Sequence, residues 1–196
     1  MRLLVTGFEL FGGAASNPSA DLVGRLAGEV ATAVLPVELE PLPGLVAELL
    51  ARHQPSHVVC LGLSARAGGL LVERVGLNLV DARIPDNAGR QPVDQPVVPG
   101  GPAAYFSTLP VKAVRAAVRG VNVPAELSLS AGTYVCNALL YQVLHHAAQQ
   151  PEPPRCGFIH VPPTSVLPLD QQERGVRAAL ASVAAAELTT AAGSLG

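Results

Sequence analysis

Apolar residues in this chain come in short blocks whose spacing alternates between continuous runs of strand length and helical stripes. Residues 2–6 read as a short buried strand, and the glycines at 7, 12 and 13 break it into a loop that ends near Asn17-Pro18-Ser19. A helix is expected over 18–27, because proline suits a first helical turn. Residues 30–38 and 57–63 are rich in valine and leucine and bounded by glycine or proline, with a helical segment at 42–53 between them. That order is β-α-β.

Residues 70–84 form a second extended region. The proline- and glycine-rich stretch 85–102 has no helical period and reads as a long surface loop. Beyond it the pattern predicts a helix over 110–119, a strand over 125–130, a helix over 134–149, a strand over 157–161 and a last helix over 168–188. The alanine-rich tail after Glu187 is expected to fray. Such alternation predicts an α/β sandwich with helices on both faces of the sheet.

Composition narrows the function classes. A chain of 196 residues buries a sizeable core without disulfides or a structural metal, and no repeat, linker or composition shift divides it, so one domain over 1–196 is expected. Hydrophobic residues make up 49% and charged ones 14%, spread throughout, which is a globular composition and not a disordered one. No apolar run approaches the roughly 18 to 20 residues needed to cross a bilayer. The opening reaches glycine and acid too early for a signal peptide, so a cytoplasmic location is expected. Three cysteines, Cys60, Cys136 and Cys156, make a poor disulfide framework and suit a reducing compartment. A net charge of -2 and a pI near 6.2, without basic runs, give no electrostatic footprint for nucleic acid or an anionic membrane. A small or uncharged substrate fits better.

Three residues carry candidate chemistry. Cys136 follows Ser130-Ala131-Gly132-Thr133-Tyr134-Val135, where a strand gives way through glycine to a helix, so its thiol falls in or near the helix's first turn. A helix N-terminus stabilises a thiolate, which a nucleophile needs because free cysteine titrates near about 8.5. The plainer alternative is a core stripe, since Cys136, Leu140 and Val143 share one helical face. Glu73 falls in phase with Leu71, Val75, Leu77 and Leu79, which predicts a carboxylate on the buried face of a strand. Such a group demands a partner. Arg66, Arg74 or Arg83 could serve structurally, and a histidine ring nitrogen would serve catalytically. His160 sits near the end of the strand that Pro162 closes, and carboxyl ends of strands are where α/β proteins build sites. His145-His146 point apart on their helix, and Pro55 separates His53 from His57, so neither pair suggests a metal site.

Taken together, five ordered blocks resemble the pyroglutamyl peptidase I (pyrrolidone carboxyl peptidase) family. They are Val5 through Gly13 with Asn17-Pro18-Ser19; Glu73-Arg74-Val75 through Asn78, Asp81 through Asn87 and Gln91-Pro92; Gly101 through Phe106 with Leu109-Pro110; Ala131 through Asn137; and Gly157 through Pro162. The resemblance implies a single-domain α/β/α fold with a mixed, mostly parallel sheet, no cofactor, no metal, and a homotetramer. It implies an omega-peptidase that removes N-terminal L-pyroglutamate from peptides and amides through a thiol acyl-enzyme, with Cys136 as nucleophile, His160 as base and Glu73 as its orienter. By the same resemblance Arg83 is an oxyanion candidate, Phe8 and Phe11 stand at ring-packing positions and Asn17 at a nearby polar one. The bland readings of these last three are core anchors and a helix cap.

The chain departs from the family pattern at Leu10, at Leu63 and in Pro162-Pro163-Thr164. These positions bear on the opening loop, the leaving-group side and the polar contacts to the lactam, and none belongs to the three catalytic candidates. Two other readings remain: an amidase for a different blocked or cyclic residue, and a binding protein that keeps the pocket without turnover.

Overall fold

The computed structural model describes residues 1–13 and 16–193. In chain order the elements are β1 (Leu3–Phe8), α1 (Pro18–Leu26), β2 (Ala31–Leu35), α2 (Leu42–His53), β3 (His57–Leu63), β4 (Leu70–Glu73), β5 (Val75–Leu77), β6 (Ala104–Phe106), α3 (Val111–Gly120), β7 (Ala125–Ser128), α4 (Val135–Ala148), β8 (Arg155–Val161) and α5 (Leu169–Ser182). Six strands form one sheet in the order β2-β1-β3-β8-β4-β7. Every pairing is parallel except β4 with β8, which is antiparallel, so β4 and β7 run against the other four.

Both faces of the sheet are covered, which is why its strands read as continuous apolar runs. On one face Val59, Leu61, Ile159 and Val161 pack with Leu22 of α1, Val114 and Val118 of α3, and Val176 and Leu180 of α5. On the other, Leu4, Phe8, Val58, Cys60, Cys156 and Phe158 pack against Val46 and Leu50 of α2 and Leu139, Val143 and Leu144 of α4. The three-layer α/β/α arrangement expected from the alternation is therefore present.

Three expectations need correction. The extended region 70–84 is not one strand. The chain leaves the main sheet at Arg74, and β5 crosses α4 so closely that a Cβ on Gly76 would stand 3.1 Å from Leu140 Cγ and from the Tyr141 nitrogen. There β5 pairs with β6, a three-residue strand too short to register as a period. The supposed apolar face dissolves with it: Leu71, Val75, Leu77 and Leu79 are only half-buried. Glu73 is fully buried for another reason, that β4 lies inside the sheet between β8 and β7.

The last helix stops at Ser182 instead of running to Leu188. Alanine propensity is overridden by a tertiary contact, in which Glu187 Oε1 accepts hydrogen bonds from the Lys112 and Ala113 amides at the start of α3, at 3.0 and 3.1 Å. Lys112 Nζ also donates to the Thr190 carbonyl at 2.9 Å, in the exposed and irregular tail that follows Glu187. Residues 194–196 lie outside the described part. No helix among the described residues is long and apolar enough to cross a membrane.

Candidate active site

The loop 130–134 delivers Cys136 to the second position of α4. Gly132 takes a left-handed φ of 80°, a conformation that costs glycine little, and turns the chain out of the sheet. Thr133 then exchanges two hydrogen bonds with Asp81, whose amide donates to the Thr133 carbonyl while the Thr133 hydroxyl donates to the Asp81 carbonyl. Tyr134 is the N-cap, and no side chain among the described residues caps the helix. The first amides of α4 therefore keep their positive ends free around Cys136. Cys136 is half-buried, and its stripe with Leu140 and Val143 does pack on the core beneath α4. Core stripe and accessible thiol coexist in this one side chain.

Asn137 fixes the start of the helix. It is fully buried, takes the Leu77 amide on Oδ1 at 2.8 Å, and donates through Nδ2 to the Leu77 and Leu79 carbonyls at 2.9 Å each. Sequence reading saw this residue only as part of a motif. A buried asparagine beside a helix start is the signal that could have marked it.

His160 is the sixth of seven residues in β8, and its register partners are Gly62 on β3 and Leu71 on β4. Glu73 pairs with Phe158, two residues before His160. Paired residues share a face and so do alternate ones, which puts Glu73 diagonally beside His160 on the α4 side of the sheet. His160 Nδ1 lies 2.7 Å from Glu73 Oε1. The partner that a buried carboxylate requires is thus the histidine and not Arg66, Arg74 or Arg83. Glu73 Oε2 has no hydrogen-bond partner among the described residues, so one imidazole is the carboxylate's compensation.

The ionisation of this pair follows from its surroundings. Burial pushes the His160 pKa down, but the Cys136 side chain and the Glu73 carboxylate together push it up more, to about 9. These neighbours favour the protonated imidazole, with Nδ1 committed to Glu73 and Nε2 left to act. The other two thiols differ in kind. Cys60 and Cys156 are fully buried, and desolvation drives both thiols up, Cys60 to about 12.

Around this trio the predicted substrate residues divide. Phe8 is 2% exposed and belongs to the core under the opening loop, whereas Phe11 is half-buried at the core's edge. Asn17 caps α1, accepting from the Ser19 amide at 3.1 Å, and donates to the Glu9 carbonyl at 2.8 Å. Its polar groups are turned inward, as the cap reading expected. Arg83 is exposed and makes no ion pair among the described residues, two positions after the Asp81 contact to the α4 entry. Asn87 Nδ2 reaches both Glu9 Oε1 and the Leu10 carbonyl, at 2.9 and 3.0 Å, and so binds the opening loop to the segment that carries Arg83. Leu10 is itself half exposed. His145 does not join the site, because both its ring nitrogens are held, by the Tyr105 hydroxyl and by Gln149.

Comparison with known proteins shows the family. The sequence pattern of the family described as pyroglutamyl peptidase matches residues 1–194. Pyrrolidone-carboxylate peptidase of Levilactobacillus brevis is 43% identical over 198 aligned residues, covering 93% of this chain and 97% of that one, and the Streptomyces coelicolor protein of the same name is 46% identical, covering 93% and 92%. Among solved structures, pyroglutamyl peptidase I of Bacillus amyloliquefaciens superimposes with a TM-score of 0.93 at 33% identity, over 97% of this chain and 99% of that chain. Pyrrolidone carboxyl peptidase of Thermococcus litoralis gives 0.86 at 33% identity, over 93% and 92%. A thiol at a helix start and a buried glutamate–histidine pair sit in a chain whose sequence and fold match these peptidases almost end to end; it belongs to the pyroglutamyl peptidase family.

Proposed function

We propose that this chain hydrolyses the bond after an N-terminal L-pyroglutamyl residue, with Cys136 as nucleophile, His160 as acid and base, and Glu73 as the group that orients and charges the imidazole. The observation that carries the assignment is the 2.7 Å contact between His160 Nδ1 and Glu73 Oε1, which leaves Nε2 for the thiol at the start of α4. A cationic imidazole beside a thiol favours the thiolate.

In the first half-reaction Cys136 Sγ attacks the pyroglutamyl carbonyl carbon, and charge collects on its oxygen. Free amides in the first turn of α4, with Arg83, are the donors for that oxyanion. The C–N bond then breaks, the His160 Nε2 proton passes to the leaving amine, and a thioester remains. In the second half-reaction neutral His160 takes a proton from water, the hydroxide adds to the thioester, and free pyroglutamate and the thiol are regenerated. Phe11 would pack on the lactam ring, while Phe8 and Asn17 shape the opening loop from within. A neutral lactam suits such a largely apolar wall with few polar contacts.

We further infer a single peptidase domain over 1–196 working in the cytoplasm as a homotetramer. Three free cysteines suit a reducing compartment, and Phe106 at 71% exposure offers apolar surface to a second copy.

The test is release of a fluorescent amine from its L-pyroglutamyl amide by wild type and by Cys136→Ser, with the prolyl amide as control. Turnover confined to the pyroglutamyl substrate and lost in the variant is expected. A folded, reduced wild type that releases no amine would sink the peptidase reading in favour of a binding protein, and turnover of the prolyl amide would redirect it to another cyclic residue.

A further inference from the structure

Gly62 lies inside β3, where a glycine weakens a strand and has no side chain to pack. Backbone conformation does not explain it, because Gly62 is not among the glycines with positive φ. The explanation lies in what its missing side chain leaves room for. A Cβ on Gly62 would stand 2.9 Å from Cys136 Sγ, 2.6 Å from Phe158 Cζ and 3.1 Å from Phe158 Cε1. Real Cβ atoms essentially never come within 3.0 Å of a heavy atom, so a methyl here must move the sulfur, the ring or both.

We propose that Gly62 is a positioning residue for the nucleophile: the gap above its α-carbon is the seat in which Cys136 Sγ rests beside His160. The idea depends on the thiol–imidazole assignment above. Gly62 is the register partner of His160, so a substituent at 62 projects on the same face as the imidazole, between sulfur and sheet. Phe158 closes the floor of the seat. It is fully buried, its ring centroid is 4.7 Å from that of His160 with the planes at 50°, and it lies opposite Glu73 in the ladder. A ring so enclosed has little room to yield, whereas the thiol ends a short side chain at a half-buried helix start. Alanine at 62 therefore displaces the sulfur, and a misplacement of about 1 Å at a reacting atom costs on the order of 10²-fold in rate.

The experiment is a double-mutant cycle on the full chain: wild type, Gly62→Ala, Phe158→Leu and the double variant. Two rates are followed, Cys136 alkylation by iodoacetamide, located by peptide mass mapping, and amine release from the pyroglutamyl amide. Gly62→Ala is expected to slow both by tenfold or more, on the order of 10²-fold. Trimming the ring relieves the 2.6 Å contact but not the 2.9 Å contact to sulfur. Adding alanine to Phe158→Leu should therefore still slow alkylation by a similar factor, even as the thermal midpoint recovers relative to Gly62→Ala. If Gly62→Ala itself does not fold, the comparison of Phe158→Leu with the double variant reads the same quantity. Wild-type alkylation in Gly62→Ala, or no loss on adding alanine to Phe158→Leu, would overturn the proposal by showing that the glycine serves the ring or nothing at all. Because alkylation needs no substrate, a wild type that alkylates at Cys136 without releasing amine defeats the peptidase reading while the seat is still measured.

Discussion

Replacing Glu73 with glutamine keeps the shape of the His160 contact and removes its charge. In the parent protein the imidazole pKa stands at about 9, held up by Cys136 and Glu73 against a burial that pushes it down. An acceptor on residue 73 can still take the Nδ1 proton at 2.7 Å, so the ring stays oriented. What disappears is the carboxylate's share of the preference for the cation, while the larger share from Cys136 remains. A charge-assisted hydrogen bond contributes about 1.5–3 kcal/mol, and 1.36 kcal/mol is one pKa unit, so His160 should fall by about 1 to 2 units. The sign follows directly: a carboxylate favours imidazolium, and without it the proton leaves at lower pH. Protonated His160 is the acid for amine departure, so the alkaline limb of kcat/KM should move from near pH 9 to about pH 7–8. Stability shifts with it. A histidine whose folded pKa exceeds its unfolded value near 6.5 adds stability that is complete below that pH and lost as pH rises towards 9, and Glu73→Gln should flatten that fall. The assay is the pH profile of kcat/KM from pH 5 to 10, with His160 followed by NMR. A variant whose activity drops uniformly while its alkaline limb stays near 9 would refute the electrostatic role of Glu73.

The other expectations rest on separate contacts. Iodoacetamide should label Cys136 alone in the native protein, and Cys60 and Cys156 only after denaturation, because both are fully buried with thiols driven up by desolvation; native labelling of either, read by mass spectrometry, would contradict that. Asn17→Ala removes a helix cap and the tie to the Glu9 carbonyl, which should cost about 1–2 kcal/mol and lower Tm by roughly 2–8 °C, measured calorimetrically. Glu73→Asp retracts the carboxylate by about 1.5 Å, one carbon–carbon bond, so it should lower kcat by on the order of tenfold or more while KM moves little; a variant with parental kcat would show that the 2.7 Å contact does not matter.

How much of this was legible in the sequence depends on how local each cause is. Helices α1 to α4 begin and end within a residue of their predicted spans, because proline, glycine and a clear apolar stripe mark them. The end of α5 is not local: it is decided by Glu187 reaching the amides of α3. Cys136 at a helix start and His160 at a strand end could be read from strand-to-helix and strand-to-proline junctions. The burial of Glu73 was anticipated from a phase that the structure does not keep, since β4 ends there and β5 turns over α4. Gly62 carried no readable signal, because its reason is a sulfur and a ring brought in by α4 and β8.

The reversed direction of β4 ties these pieces together. Parallel strands alone would set residues of β3 and β8 side by side along the sheet, which supplies the Gly62–His160 pairing and the seat for sulfur. An antiparallel neighbour opposes Leu71 to His160 and Glu73 to Phe158, so the carboxylate starts one diagonal away, about 7–8 Å between backbones. Only a long acidic side chain crosses that diagonal to reach Nδ1, which is why glutamate fits there and aspartate falls short. Phe158, fully buried, stands opposite Glu73 in the ladder, and its ring lies against that of His160. With Oε2 lacking a partner among the described residues, the imidazole is the group on which the buried glutamate charge bears. The enclosed setting that makes Glu73 costly to bury is thus the same one in which its charge favours protonated His160 beside the thiol.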